Sequence, residues 1–96
     1  MPATTLNKIA EIYAAEPGPV FRPKTSRGDA VGLLHIEVNG GAEVQLQGRL
    51  DPSMPWTDLL EATATTNQIV AVVLPPEIRV NVTVHTSGYV QAYLLE

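Results

Sequence analysis

The sequence has no cysteine and few charged or aromatic residues, and these shortages exclude several classes of protein. Without cysteine there is no disulfide framework, thiolate metal site, redox pair or cysteine nucleophile. The longest unbroken apolar run, residues 69–74, is far too short to span a membrane. Residues 1–24 lack the basic start and long apolar core of a signal peptide. Charged residues make up 17% of the 96 residues and aromatic residues 5%, but 45% are hydrophobic, which is enough for one folded domain.

Charge and proline divide the sequence into an N-terminal arm, residues 1–28, and a body, residues 29–96. The arm carries four basic and two acidic side chains, a net of +2, whereas the body carries two basic and eight acidic, a net of −6. An acidic body argues against binding nucleic acid directly, and the opposite charges permit the arm of one copy to lie on another chain. Apolar residues in the arm follow the spacing of one helical face, which predicts a short helix over about residues 5–15 and then a proline-rich linker. These residues are Leu6, Ile9, Ala10 and Tyr13.

The body alternates apolar and polar residues in short stretches separated by turns. This pattern predicts six strands, at residues 34–38, 42–49, 56–61, 69–74, 78–85 and 89–94. Asn-Gly-Gly at residues 39–41 and Thr-Ser-Gly at residues 86–88 predict tight turns, so we expect the flanking strands to pair as two hairpins. The single tryptophan, Trp56, is expected to anchor the core. The fold class is therefore all-β, a small β-sandwich or jelly-roll-like barrel of about six strands with an N-terminal extended or helical arm.

Candidate catalytic and metal-binding residues are few and do not cluster in the sequence. His35 and His85 fall on outward positions of predicted strands, with no carboxylate at ligand spacing. Asp51 and Asp58 flank a proline turn. One interpretation is that the two carboxylates bind calcium. The other is that Asp51 caps the turn by accepting hydrogen bonds from the local backbone. There is no glycine-rich phosphate loop and no serine nucleophile motif. We expect a protein that is not an enzyme and has no metal or cofactor; a small hydrolase is the alternative if a histidine lies in a concave site.

Self-association is expected because a body of this size without disulfides seldom has a sufficient core. Residues 69–74 are apolar on both faces, so one face is expected to contact a neighbouring subunit. The outward side chains near Tyr89 and Tyr93 suit a protein interface, a glycan-binding face or plain surface. The predicted interface residues are Leu6, Ile9, Tyr13, Phe21, Arg22, Lys24, Val70, Val72, Leu74, Tyr89 and Tyr93.

Three motifs carry a resemblance to a known group of proteins. They are Gly-Arg-Leu-Asp at residues 48–51, Trp-Thr-Asp-Leu at 56–59 and Arg-Val-Asn-Val-Thr at 79–83. In this arrangement the body resembles small β-sandwich virion structural proteins of tailed bacteriophages, although Pro52 stands where the family often has glycine. The resemblance implies a capsid decoration, or cement, protein on the outer capsid surface. Such a protein binds the major capsid protein or another virion protein and forms a homo-oligomer, by analogy a trimer. The alternative is a fibre, tail or neck accessory module that binds host glycan or another virion protein.

Overall fold

The computed structural model describes residues 5–24 and 31–96, which form two antiparallel sheets. The strands are β1 (Leu6–Ile12), β2 (Val31–Asn39), β3 (Ala42–Arg49), β4 (Thr57–Asp58), β5 (Gln68–Val73), β6 (Glu77–His85) and β7 (Tyr89–Leu95). Sheet 1 has the order β1-β7-β2-β5, and sheet 2 has the order β4-β3-β6. The all-β prediction is confirmed, and the six strands predicted for the body correspond to β2 through β7.

Residues 17–21 extend sheet 2 along the free side of β6. The Gly18 N–H donates to the Val80 carbonyl at 2.6 Å, and the Phe21 N–H donates to the Ile78 carbonyl at 2.8 Å. The bridges that these residues form with β6 are antiparallel. The chain therefore crosses from sheet 1 to sheet 2 between β1 and this segment, and each sheet has four antiparallel backbone segments.

The helix predicted over about residues 5–15 is wrong, because Leu6–Ile12 form strand β1 beside β7. A β-bulge between Lys8 and Ala10 shifts the register, so that Ile9 and Ala10 are both buried, followed by Ile12. Such a bulge spaces apolar residues in a way that imitates a helical face. Ile9, Ala10 and Ile12 contribute to the same core as the body. Residues 1–4 and 25–28 of the predicted arm lie outside the described part of the chain.

The two predicted hairpins are also wrong, because β2 and β3, like β6 and β7, lie in opposite sheets. β2 pairs with β5 and β7, and β3 pairs with β4 and β6. The turn glycines instead lie in two crossovers between the sheets, with positive φ at Gly40 (108°) and Gly88 (75°). The crossovers pack on each other, since the Thr86 N–H donates to the Gly41 carbonyl at 2.8 Å. Alternation specifies which face of a strand is buried, and it does not specify the neighbouring strand.

The core lies between the two sheets and contains most of the side chains that the alternation places inward. Val84 is an exception and is exposed at the end of β6, and Trp56 lies half-buried outside the core. The backbone of Gly48 is covered by Pro75 and Leu59, because a Cβ there would lie 2.6 Å from the Pro75 ring. The correctly predicted core residues of the last two strands are Ile78, Val80, Val82, Val90, Ala92 and Leu94.

Candidate functional site

An apolar patch covers one end of the outer face of sheet 1, where β2 and β5 lie side by side. Its side chains alternate with core-facing ones, so these strands are apolar on both faces over residues 31–34 of β2 and 69–73 of β5. The exposed fractions are 60% for Val31, 46% for Leu33, 66% for Ile69 and 58% for Val73. The patch consists of these four residues and Ala71, with Val31 opposite Val73 and Leu33 opposite Ala71. A contiguous exposed apolar surface on a small protein marks an interaction site.

The face of β5 predicted for a subunit interface is the wrong one. Val72 and Leu74 are buried in the protein's own core, and Val70 packs against that core. The exposed face of the strand is the alternate one, which carries Ile69 and Val73. Because residues 69–74 are apolar on both faces, the sequence could not distinguish the two.

β5 is the edge strand of sheet 1 at the end that carries the apolar patch. A groove of about 680 Å³ lies beside this strand and is lined by residues 59–63, 68 and 70–73. β5 contains no charged residue and no proline, and its pairing with β2 has no register shift. Exposed edge strands are normally protected by charges, prolines or bulges, so in the described part of the chain this edge is open to pairing with another strand.

A tyrosine-rich polar network occupies the other end of the same outer face. The Glu11 carboxylate accepts hydrogen bonds from the Tyr13 hydroxyl at 2.8 Å and from the Gln91 side-chain amide at 2.9 Å. It also forms an ion pair with the Lys8 ammonium. The Tyr93 hydroxyl donates to the Gln91 side-chain oxygen at 3.1 Å. The polar groups of this end are therefore engaged with one another.

The ionisation of this network depends on its internal hydrogen bonds. Hydrogen bonds from Lys8 and then from Tyr13 lower the pKa of the Glu11 carboxyl. The Glu11 hydrogen bond raises the pKa of the Lys8 ammonium and that of the Tyr13 hydroxyl. The network is thus most favourable when Glu11 is ionised and Lys8 is protonated.

We expect the stabilisation from Glu11 to be lost in acid. Since the native pKa of Glu11 lies below the unfolded value of about 4.3, its contribution is present above that value and disappears as the pH falls through the native pKa. Glu11→Gln should therefore be less stable than the wild type at neutral pH, and the difference should shrink in acid. Urea unfolding at a series of pH values measures this, and a difference independent of pH would contradict it.

A second cluster on the outer face of sheet 2 brings Trp56 against two arginines. The guanidinium carbons of Arg49 and Arg79 lie 4.2 and 4.5 Å from the centroid of the Trp56 ring. The Arg79 Nε donates to the side-chain oxygen of Gln47 at 2.9 Å. Burial and then the neighbouring charge of Arg49 lower the pKa of the Arg79 guanidinium. These contacts attach the loop that carries Trp56 to β3 and β6.

Glu77 is the buried carboxylate of this cluster. Its side chain is 4% exposed, and it accepts a hydrogen bond from the Arg49 Nε at 2.7 Å. It also lies 2.7 Å from the Arg22 Nη2, although the Arg22 side chain is 70% exposed. The buried charge is thus compensated mainly by Arg49, whose side chain is only 19% exposed. The cluster is a structural ion-pair network that joins residue 22 to the end of sheet 2.

The predicted interface residues are scattered rather than gathered in one place. Ile9 is buried in the core, Phe21 packs partly against it, and Leu6 is exposed on β1. Lys24 donates its backbone N–H to the Glu96 carboxylate at 2.7 Å. The ring of Tyr89 lies against that of Tyr13, with centroids 6.2 Å apart, and both belong to the polar end of sheet 1.

The histidines and aspartates considered for chemistry make separate local contacts. The His35 ring lies 6.1 Å from that of Tyr93, and the His85 Nε2 lies 2.8 Å from the Gly88 carbonyl oxygen. Asp51 accepts a hydrogen bond from the Ser53 hydroxyl at 2.8 Å, as expected for a turn cap. Among residues 5–24 and 31–96, no three His, Asp or Glu side chains converge as a metal site. The same residues include no helix with the length and hydropathy of a membrane span.

Sequence reasoning missed the exposed apolar patch and the Trp56 cluster for different reasons. The apolar run at residues 69–74 was a signal for the patch, but the predicted interface lies on the opposite face of that strand. The cluster had none, because it depends on the pairing of β3 with β6. No family model, characterised protein or solved structure matches the chain.

Proposed function

We propose that this protein is a non-catalytic virion structural protein of the capsid decoration type. In this proposal the outer face of sheet 1 docks on the capsid shell, and self-association lets each unit clamp neighbouring shell subunits. The observation that carries the proposal is the exposed apolar patch on β2 and β5. A monomer with no partner would leave four large aliphatic side chains in water at that site.

The order of the strands supports a jelly roll. When residues 17–21 are counted as the second of eight backbone segments, the first pairs with the eighth, the second with the seventh, the third with the sixth and the fourth with the fifth. A long hairpin rolled into two sheets gives this nested pairing. Jelly rolls occur in viral capsid proteins and also in lectins, so the choice between these functions depends on the surface.

Clamping works by mass action. A protein that binds only the assembled shell stabilises the shell by an amount that grows with the logarithm of its free concentration relative to its dissociation constant, and linked copies multiply weak contacts. Each half-exposed valine, leucine or isoleucine of the patch contributes about 1 kcal/mol when a partner covers it. Apolar contacts of this kind are not screened by salt, unlike the contact between a basic arm and an acidic body that charge alone suggests.

Glycan binding by the tyrosine face is the second candidate. The ring pair of the exposed Tyr13 and the half-buried Tyr89 favours it, because aromatic faces suit sugar rings. The hydroxyls of Tyr13 and Tyr93 and the amide of Gln91, however, are already hydrogen-bonded within the chain. A sugar would have to displace these bonds, so the geometry favours docking of a protein surface through the apolar end.

Binding to particles of the virus that encodes the chain tests the proposal. Leu33→Lys places a charge in the middle of the patch, and Thr83→Lys places the same charge on the exposed outer face of sheet 2. In co-sedimentation, Leu33→Lys should lower particle affinity by about tenfold or more, which corresponds to about 1.4 kcal/mol. Thr83→Lys and the wild type should bind alike, with little dependence on salt or chelator.

Two outcomes would overturn the proposal. One is equal binding by both lysine variants, provided that circular dichroism shows both to be folded. The other is the absence of the protein from purified particles by mass spectrometry. Release by chelator alone would instead indicate a metal-dependent attachment, with Asp51 and Asp58 as the first residues to replace.

A further inference from the structure

We propose that β5 pairs with β5 of a second copy in an antiparallel, twofold arrangement that joins two copies of sheet 1 into one continuous sheet. This inference deepens the proposed function, because it names the partner at the open edge of the same face. The edge position of β5, its lack of charge and its self-complementary sequence support it. Pairing across this edge leaves the outer faces of both copies directed to the same side.

The residues of β5 are self-complementary about Ala71. In a twofold antiparallel pair centred on this residue, Ala71 faces its own copy and Ile69 faces Val73 of the other copy. All three positions lie on the exposed outer face of the strand. Cross-strand pairs of β-branched side chains stabilise such a sheet, so the two exposed pairs of Ile69 with Val73 become contacts.

The distribution of charge favours contact between two copies at the uncharged surface around β5. Each chain has a net charge of −4, so most approaches of one copy to another are repulsive. Residues 62–76 and 31–36 contain no Asp, Glu, Lys or Arg, and they include the whole of β5 and the neighbouring part of β2. Of the residues lining the groove beside β5, only Glu61 is charged, and it is exposed to solvent.

The proposed pairing has a defined symmetry. A twofold contact uses the same strand of both copies, and it closes at two subunits. It therefore replaces the trimer that analogy with virion proteins favours. A strand of the shell protein in the groove, or a ring of three copies, would use the same edge differently and give a different result in the experiments below.

Cysteine cross-linking tests the register directly, since the chain has no cysteine of its own. The two Ala71 Cα atoms would lie about 4.5–5.5 Å apart across the twofold axis, which is within the range that a disulfide bridges. Ala71→Cys in the full-length protein should form disulfide-linked dimers under mild oxidation at least about tenfold faster than Thr83→Cys, because association raises the effective thiol concentration. Equal rates for the two variants would overturn the pairing.

Sedimentation equilibrium supplies the second measurement. The wild type and Thr83→Lys should be dimers, and Ala71→Lys should be a folded monomer because it sets two ammonium groups opposite each other. Leu33→Lys should remain a dimer, since Leu33 lies on β2, away from the edge. A wild type that is monomeric, or a trimer, would overturn the inference.

The two proposals fail in distinguishable ways. A monomeric wild type that binds particles and loses binding with Leu33→Lys would overturn the pairing and the clamping by self-association, and it would leave the docking of sheet 1 on the shell. A dimer cross-linked through Ala71→Cys that is absent from particles would support the pairing and overturn the proposed function.

Discussion

Val72→Asp should unfold the protein, whereas Val73→Asp should leave it folded. Val72 is buried between the sheets, and Val73, next to it on β5, is exposed on the outer face. An unpaired carboxylate in the core costs several kcal/mol, which is comparable to the whole stability of a small domain. The same carboxylate on the exposed face should cost no more than about 1 kcal/mol. Thermal unfolding followed by circular dichroism measures both variants.

The pair of variants decides which face of β5 belongs to the core. Because Val72 and Val73 have the same side chain, the intrinsic strand preference of the substitution is matched between them. A folded Val72→Asp together with an unfolded Val73→Asp would show that the strand is inverted relative to the structure. Folded Val73→Asp should also lose self-association, because in the proposed pairing Val73 faces Ile69 of the second copy.

Glu77→Gln should destabilise the protein by about 3 kcal/mol. The substitution keeps the shape of the side chain and removes its charge, which leaves the mostly buried guanidinium of Arg49 without its ionic partner. Arg22→Gln is the matched control, because it removes the other ion pair of Glu77 from an arginine that is largely in solvent. That change should cost less than about 1 kcal/mol.

Urea unfolding of the wild type, Glu77→Gln and Arg22→Gln measures the difference between the two losses of stability. The three unfolding free energies should be fitted with the same dependence on urea concentration. Equal losses in Glu77→Gln and Arg22→Gln would contradict the assignment of Arg49 as the main partner. The result also bears on Trp56, since Arg49 contacts its ring. Loss of Glu77 should therefore increase the exposure of the tryptophan, which its fluorescence reports.

The sequence predicted strands β2 to β7, and the buried faces of β6 and β7, because the period of two is local information. Val80 and Val82 on β6, and Val90 and Leu94 on β7, are buried as the alternation required. The pairing of the strands is not local. The turns that contain Gly40 and Gly88 have the glycines of a hairpin, but the chain uses them to cross between sheets.

The N-terminal strand was mistaken for a helix for a different physical reason. A β-bulge adds one residue between two inward positions, so Ile9 and Ala10 are both buried. The resulting spacing from Leu6 to Tyr13 fits a helical face as well as a bulged strand. The bulged strand forms instead of the helix because the backbone of β1 pairs with that of β7.

The candidate site was predictable in kind but not in position. Residues 69–74 are apolar on both faces, which predicts that a partner covers one face of this strand, and the strand is β5. Which residues lie outside depends on the register of β5 with β2, where Leu33 meets Ala71. Val31 and Leu33 on β2 complete the patch. The sequence does not predict that they are exposed, because apolar residues at these positions would also fit the core.

A cryo-electron-microscopy reconstruction of the virus particle with the protein bound would show which face of the protein lies on the shell. We expect the outer face of sheet 1 to lie on the shell, with Val31, Leu33 and Val73 within about 4 Å of atoms of another chain. We also expect the β5 strands of two copies to lie side by side across a twofold axis. A reconstruction in which this face points into solvent, with the outer face of sheet 2 on the shell, would contradict the account.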